Sequence, residues 1–166
     1  MSAVVSDSSP LNYLSLLSDF DLLRKIYGSL VIPPAVYHEV AESRVKYPVA
    51  AAVRAALGNW ISVAESPNVL EVGILKREYH LDLGESEAIL VAESLGQCPL
   101  LMDDQRGVNC ARSRGLTVIR TPLIYASAKI LGFIDNLPEK LDDLRVNGFY
   151  LSDTHYEMIL RELGER

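Results

Sequence analysis

The sequence predicts an α/β protein of three layers, with a central parallel sheet of about five strands between helices. First, short apolar runs alternate with helical segments of about ten residues along the 166-residue chain. Second, glycine and proline separate these segments, for example at Gly28, Pro33-Pro34 and Gly115. Third, the sequence contains no internal repeat. We therefore expect one domain over residues 1–166, with a helical C-terminal extension over about 132–166.

The first half of the chain is predicted to contain three strands, at 3–6, 29–32 and 60–63. After the first strand, Ser9 is expected to cap a helix that has Pro10 at its first position. A second helix is expected to run from Asp19 to Gly28. Pro33-Pro34 then begins the helix that carries Glu39. An alanine-rich helix at 49–57 and a helix at 69–79 complete this half.

The second half of the chain is predicted to contain two strands and five helices. The strands are expected at 100–102 and 116–119, and the helices at 84–95, 105–114, 121–131, 137–146 and 152–163. The three last helices follow one another without a strand between them. This order places the sheet in the first 119 residues of the sequence.

Composition limits the functional classes. Apolar residues make up 49% and charged residues 23%, which is ordinary for a globular protein. The N-terminus has no signal-peptide pattern and no apolar stretch is long enough to span a membrane, so a cytoplasmic protein is expected. Its two cysteines, Cys98 and Cys110, have no metal-binding spacing. The net charge of −6 argues against nucleic-acid binding driven by overall charge.

Acidic residues lie where strands are predicted to end or where the next helix begins. These are Asp7, Glu39, Glu85 and Asp104. In an open parallel sheet, ligands bind outside the carboxyl ends of the strands. Carboxylates gathered there repel one another unless a cation neutralises them. The pattern therefore predicts a site for Mg²⁺ or Mn²⁺, which prefer oxygen ligands, and chemistry on a substrate that carries phosphates.

Two of these assignments have alternatives. Glu85 and Glu87 lie about 200° apart on an ideal helix, so only one can face the site. We favour Glu85, in the first turn after Gly84, and expect Glu87 to face solvent. Asp103 and Asp104 are neighbours that point to opposite sides of a strand. Both remain candidate ligands.

A basic segment directly follows this acidic pair. Residues 105–120 contain Arg106, Arg112, Arg114 and Arg120 but no acidic residue. In an acidic protein, such a local positive field is suited to holding an RNA backbone. We expect Arg106, Arg112 and Arg114 to contact RNA, although a solvated helix face would give the same pattern.

Taken together, the acidic motifs resemble those of PIN-domain proteins, and most closely the prokaryotic PIN-like branch related to VapC toxins. The resemblance covers nearly the whole chain. It is carried by the segments 4–11, 31–40, 81–89, 100–104 and 147–152. One departure is Met102, which stands where this family usually has a hydroxyl residue. The four acidic motifs occur in the family's order.

The resemblance implies metal-dependent cleavage of RNA phosphodiesters by a PIN-like fold. It implies that the metal-binding carboxylates are Asp7, Glu39, Glu85 and Asp104. Asp104 is favoured for the last of these positions, and Asp103 is the alternative. Ser8 or Ser9 is expected to orient a carboxylate or a metal-bound water. A homodimer and an antitoxin partner are also implied.

Two other functions are compatible with the sequence. One is a PIN-like module that binds RNA or protein with weak or no catalysis, which the Met102 departure and the net charge favour. The other is a phosphotransferase-like hydrolase with Asp7 as nucleophile. Ser9 disfavours the latter, because it occupies the position of the usual partner acid.

Overall fold

The computed structural model describes residues 3–42 and 48–165. Its sheet contains five parallel strands in the order β3-β2-β1-β4-β5. The strands are β1 (Val5–Ser6), β2 (Leu30–Ile32), β3 (Ile61–Val63), β4 (Leu100–Leu101) and β5 (Val118–Ile119). This arrangement confirms the predicted α/β/α class and the predicted number of strands.

Ten helices accompany these strands in the described part of the chain. They are α1 (Ser8–Leu16), α2 (Asp21–Tyr27), α3 (Pro34–Tyr37), α4 (Pro48–Ala56), α5 (Val69–Tyr79), α6 (Leu83–Ser94), α7 (Gln105–Ser113), α8 (Thr121–Ile130), α9 (Leu137–Val146) and α10 (Asp153–Glu162). Helix α3 continues directly into a π-helical turn, His38–Glu42. Such a turn inserts an extra residue into a helix and is frequent at functional sites.

The chain divides into two compact units. The first runs up to Arg120 and contains the whole sheet with α1–α7. The second begins at Thr121 and contains α8, α9 and α10. The predicted helical extension over about 132–166 lies within the second unit.

The order of the strands determines where the site lies. β1 is the central strand, with β2 on one side and β4 on the other. Val5 is in register with Val31 of β2 and with Leu100 of β4. The chain moves outward from β1 in one direction through β2 and β3, and in the other through β4 and β5. Such a reversal is where open α/β sheets bind ligands, next to the carboxyl end of β1.

The packing beneath this edge explains the unusual Met102. Its side chain is fully buried, and its Sδ atom lies 2.5 Å from the position that a Cβ atom would take at Gly107. Gly107 lies in α7, so the missing side chain there makes room for methionine below the helix. Met102 thus serves the core, whereas a hydroxyl residue would present a polar group there.

In the described part of the chain, no helix combines the length and the apolar composition that crossing a membrane requires.

Candidate metal centre

Asp7 lies at the carboxyl end of the central strand. It directly follows β1, its backbone N–H donates to the Leu101 carbonyl at 2.9 Å, and its side chain is only 5% exposed. The pKa of Asp7 is raised to about 8, mainly by burial and also by the nearby charges of Asp82, Glu85 and Glu39, while a hydrogen bond from the Ser8 backbone opposes the rise. This environment disfavours the ionised carboxylate in the absence of a cation.

Two serines in the first turn of α1 hold acidic side chains. The Ser8 hydroxyl donates to Glu39 Oε2 at 2.8 Å, and the Ser9 hydroxyl donates to Asp103 Oδ2 at 2.8 Å. Ser9 was expected to cap this helix, but the helix already begins at Ser8. Asp7 occupies the N-cap position without a capping bond from its side chain. The expected cap was wrong because the Ser9 hydroxyl is used by a distant carboxylate instead.

Glu85 is half-buried in the first turn of α6 and forms a reciprocal cap with Asp82. The Glu85 N–H donates to Asp82 Oδ1 at 2.7 Å, and the Asp82 N–H donates to Glu85 Oε2 at 3.0 Å. Burial raises the pKa of Glu85 to about 7, helped by the charges of Asp82, Asp104 and Glu39, although the hydrogen bond from the Asp82 backbone lowers it. Asp82 was not identified as a site residue from the sequence. The Asp-x-x-Glu spacing of a capping box was the signal that could have identified it.

Glu87 was expected to face solvent, but it is buried. It is 8% exposed, and its Oε2 accepts a hydrogen bond from the Ala35 N–H at 2.8 Å. The prediction was wrong because α6 is buried around most of its circumference at this point. The carboxylate is accommodated by the first turn of α3, where helix amide groups favour a negative charge.

Asp103 and Asp104 have different surroundings. Asp103 is buried and accepts from Ser9. Asp104 is exposed and caps α7, accepting from the N–H groups of Arg106 at 2.9 Å and Gly107 at 3.2 Å. Its charge also acts on Glu85. Asp104 therefore belongs electrostatically with Glu85, whereas Asp103 is directed toward α1.

The predicted RNA-contacting arginines also differ from one another. Arg106 and Arg112 are exposed on α7. Arg114 forms a two-pronged ion pair with Glu93, at 2.6 Å from Nε and 2.8 Å from a terminal nitrogen. Its guanidinium is thus engaged within the protein, and the exposed positive charge of this segment lies on Arg106 and Arg112.

The site consists of carboxylates whose charges act on the ionisation of Asp7 and Glu85. Asp7, Glu39, Asp82, Glu85 and Asp104 are connected in this way. Within residues 3–42 and 48–165, no three acidic, histidine or cysteine side chains already stand in position to ligate one ion directly. Mg²⁺ and Mn²⁺ accept oxygen donors, and Mg²⁺ usually retains several waters on one or two carboxylates. The donor set therefore fits a hydrated divalent cation.

Comparison with known proteins identifies the family. The model of a PIN-domain family matches residues 3–165. Two solved structures are similar in fold. One is PAE2754 from Pyrobaculum aerophilum, with 23% identity, a TM-score of 0.55, and coverage of 76% of this chain and 96% of that one. The other is a PilT N-terminus domain protein, SSO1118, from the archaeon Sulfolobus solfataricus P2, with 22% identity, a TM-score of 0.51, and coverage of 77% and 93%.

Among curated proteins, none is significantly similar to this chain. The family match spans nearly the whole sequence and agrees with the five-stranded parallel sheet. The protein belongs to the PIN-domain family.

Proposed function

We propose that this protein is a divalent-metal-dependent endoribonuclease that hydrolyses RNA phosphodiester bonds. The observation that carries the proposal is the buried Asp7 at the carboxyl end of the central strand, surrounded by other carboxylates. Such a group is poorly suited to a purely structural role, because ionising it without a cation costs free energy. Because PIN-domain proteins are generally nucleases, membership of this family supports nucleic-acid cleavage as the reaction at this site.

The protein's own groups have distinct roles in this proposal. Asp7, with Glu39, Glu85 and Asp104, would hold Mg²⁺ or Mn²⁺, and Ser8 would fix the Glu39 carboxylate through its hydrogen bond. A cation held by these residues would supply a water of lowered pKa as nucleophile and would stabilise charge on the transition state. Arg106 and Arg112 would contact the phosphates of the RNA on either side of the cleaved bond.

The finer proposal is a toxin of the VapC type that pairs with an antitoxin protein and forms a homodimer. It is supported by the resemblance of the acidic motifs to that branch. An antitoxin would cover the acidic site and thereby suppress cleavage until it is removed. Growth inhibition by the wild-type protein, but not by Asp7→Asn, would separate this role from that of a harmless housekeeping nuclease.

The deciding experiment is cleavage of a mixed-sequence single-stranded RNA with Mn²⁺ or Mg²⁺. We expect the wild-type protein to cleave, and EDTA or the Asp7→Asn substitution to abolish cleavage. Asp142→Asn, an exposed acid of α9, is the matched control and should cleave normally. Cleavage that persists in Asp7→Asn or in excess EDTA would disprove the metal mechanism.

A second candidate is a PIN-like module that binds RNA with little catalysis. It is favoured because, within residues 3–42 and 48–165, no three acidic, histidine or cysteine side chains stand in position to ligate one ion directly. In this case, the folded wild-type protein would bind Mn²⁺ and retain RNA in a filter assay, yet leave the RNA intact.

A further inference from the structure

Gly84 lies in the first turn of α6 and faces Asp7. A Cβ atom at Gly84 would lie 3.5 Å from Asp7 Oδ1, 3.6 Å from Asp82 Oδ1 and 3.4 Å from Val36 Cγ2. The backbone there does not adopt the positive φ that favours glycine. Glycine inside a helix costs roughly 0.5–1 kcal/mol relative to alanine. Neither backbone geometry nor close packing therefore explains why this position lacks a side chain.

The missing side chain leaves a space with a carboxylate oxygen on each of two sides. Asp7 Oδ1 and Asp82 Oδ1 both lie within 3.6 Å of the same point above Gly84. A magnesium ion lies about 2.0–2.1 Å from oxygen ligands and keeps several waters. An ion held directly by one carboxylate, and through one of its waters by the other, is compatible with this space. A methyl group there would compete with those waters.

Asp82 retains the capacity to take part. Its Oδ1 accepts one hydrogen bond, from the Glu85 N–H at 2.7 Å, and the carboxylate is on an exposed residue. A carboxylate offers about four lone-pair positions on its two oxygens. Capping the helix and binding a hydrated cation are thus compatible, and the negative charge of Asp82 offsets the positive end of α6.

We propose that Gly84 keeps open the position of a hydrated divalent cation shared by Asp7 and Asp82. Asp82 is then a cation-binding carboxylate of this site in addition to its role as a helix cap, and Gly84 sets the space available to the ion. The inference rests on the proposed metal-dependent function and adds two residues to it.

The test is Mn²⁺ binding to the full chain, measured by titration calorimetry and by electron paramagnetic resonance of free Mn²⁺. Asp82→Asn removes the charge but keeps the cap, since asparagine caps helices as well as aspartate. We expect it to weaken Mn²⁺ binding about 10-fold or more, the low end of effects seen when groups supporting a metal are removed. Gly84→Ala should weaken binding to a similar extent while the metal-free Tm stays equal or rises.

Gly73→Ala is the matched control for the glycine substitution. Gly73 lies in α5, and a Cβ atom there would contact nothing within 4 Å. It should raise the metal-free Tm as alanine favours a helix, and leave Mn²⁺ binding unchanged. Asp7→Asn is the second reference and should lose Mn²⁺ binding.

The outcomes separate this inference from the proposed function. If Asp82→Asn and Gly84→Ala bind Mn²⁺ within about twofold of wild type while Asp7→Asn does not, the shared position is overturned and the nuclease proposal stands. If the wild-type protein binds no Mn²⁺, both are overturned. Should Gly84→Ala fail to fold, Asp82→Asn decides alone, because its cap is preserved.

Discussion

At the scale of single residues, the surroundings of Asp7 disfavour a negative charge on its carboxyl group. Its pKa rises to about 8 from an ordinary value of 3.8, with burial as the main cause. The edge of the sheet at the carboxyl end of β1 therefore carries a carboxyl group that is protonated more easily than an aspartate in water. A cation bound there would relieve the repulsion, so the proposed metal binding would stabilise the fold.

This environment makes the metal-free protein sensitive to pH. Because the folded pKa of Asp7 exceeds the unfolded one, the folded state binds the proton more tightly, and stability falls as pH rises from about 4 to about 8. Asp7→Asn in EDTA should raise the Tm at pH 8, by about 2–4 °C for each kcal/mol recovered. At pH 4 it should change the Tm little. Scanning calorimetry in EDTA at both pH values measures this.

The control for this prediction is Asp142→Asn, an exposed acid that should leave the Tm unchanged at both pH values. A Tm of Asp7→Asn that equals the wild-type value at pH 8 would contradict the inferred environment of Asp7.

At the scale of elements, a buried carboxylate of α6 forms a hydrogen bond with the backbone of α3. Pro33 and Pro34 have no N–H, so the Ala35 N–H is the first donor of α3, and Glu87 of α6 accepts it at 2.8 Å. Helix α3 continues into the π-helical turn that carries Glu39. The contact therefore connects the helix of Glu85 with the helix of Glu39.

Glu87→Ala should remove this connection. It leaves the Ala35 N–H without its partner and should destabilise the protein by about 1–3 kcal/mol. Glu87→Gln keeps an oxygen acceptor and should recover most of that loss. Urea denaturation of both variants in EDTA measures the difference. Equal destabilisation by alanine and glutamine would show that the carboxylate charge, and not the hydrogen bond, is what stabilises the contact.

At the scale of the whole molecule, an acidic protein presents one local basic face. The net charge is −6, whereas the exposed residues of α7 are Gln105, Arg106, Asn109, Arg112 and Ser113, none of them acidic. This helix begins directly after Asp104, which caps it. A nucleic-acid chain is repelled by most of the surface, so the face next to the site has a disproportionate effect on binding.

The role of this face can be measured from the salt dependence of RNA binding. In an Asp7→Asn background, which is expected to prevent cleavage, Arg106→Ala with Arg112→Ala should weaken binding of a single-stranded RNA. The slope of log affinity against log salt should fall by about 0.7 for each phosphate contact removed. Fluorescence anisotropy from 50 to 300 mM salt, roughly the useful range, provides the measurement.

Arg24→Ala, an exposed arginine of α2, is the control and should leave the slope unchanged. An unchanged slope in the double variant would show that Arg106 and Arg112 do not contact the RNA phosphates and only keep the surface of α7 solvated.

The sequence by itself determined the class of the fold, the five strands and most helix positions, because these depend on local patterns. Glycine, proline and apolar spacing act over a few residues, and the helices at 69–79 and 137–146 were predicted with the bounds observed. The position of Asp7 after the first strand needed no more than this. The order of the strands was not predicted, because local alternation indicates a parallel sheet with helical crossovers but does not determine which strands are neighbours.

Only the tertiary structure decided which polar groups meet. Ser9 binds Asp103, 94 residues away, Glu87 binds Ala35, 52 residues away, and Arg114 binds Glu93, 21 residues away. The first two contacts contradict the expected helix cap at Ser9 and the expected exposure of Glu87, and the third engages the guanidinium of Arg114 within the protein. The reason is physical: a polar side chain is stabilised by whichever partner the packed elements bring to it, and burial raises the cost of leaving it without one. The local sequence determines which polar side chain is present, and the packing of distant elements determines its partner.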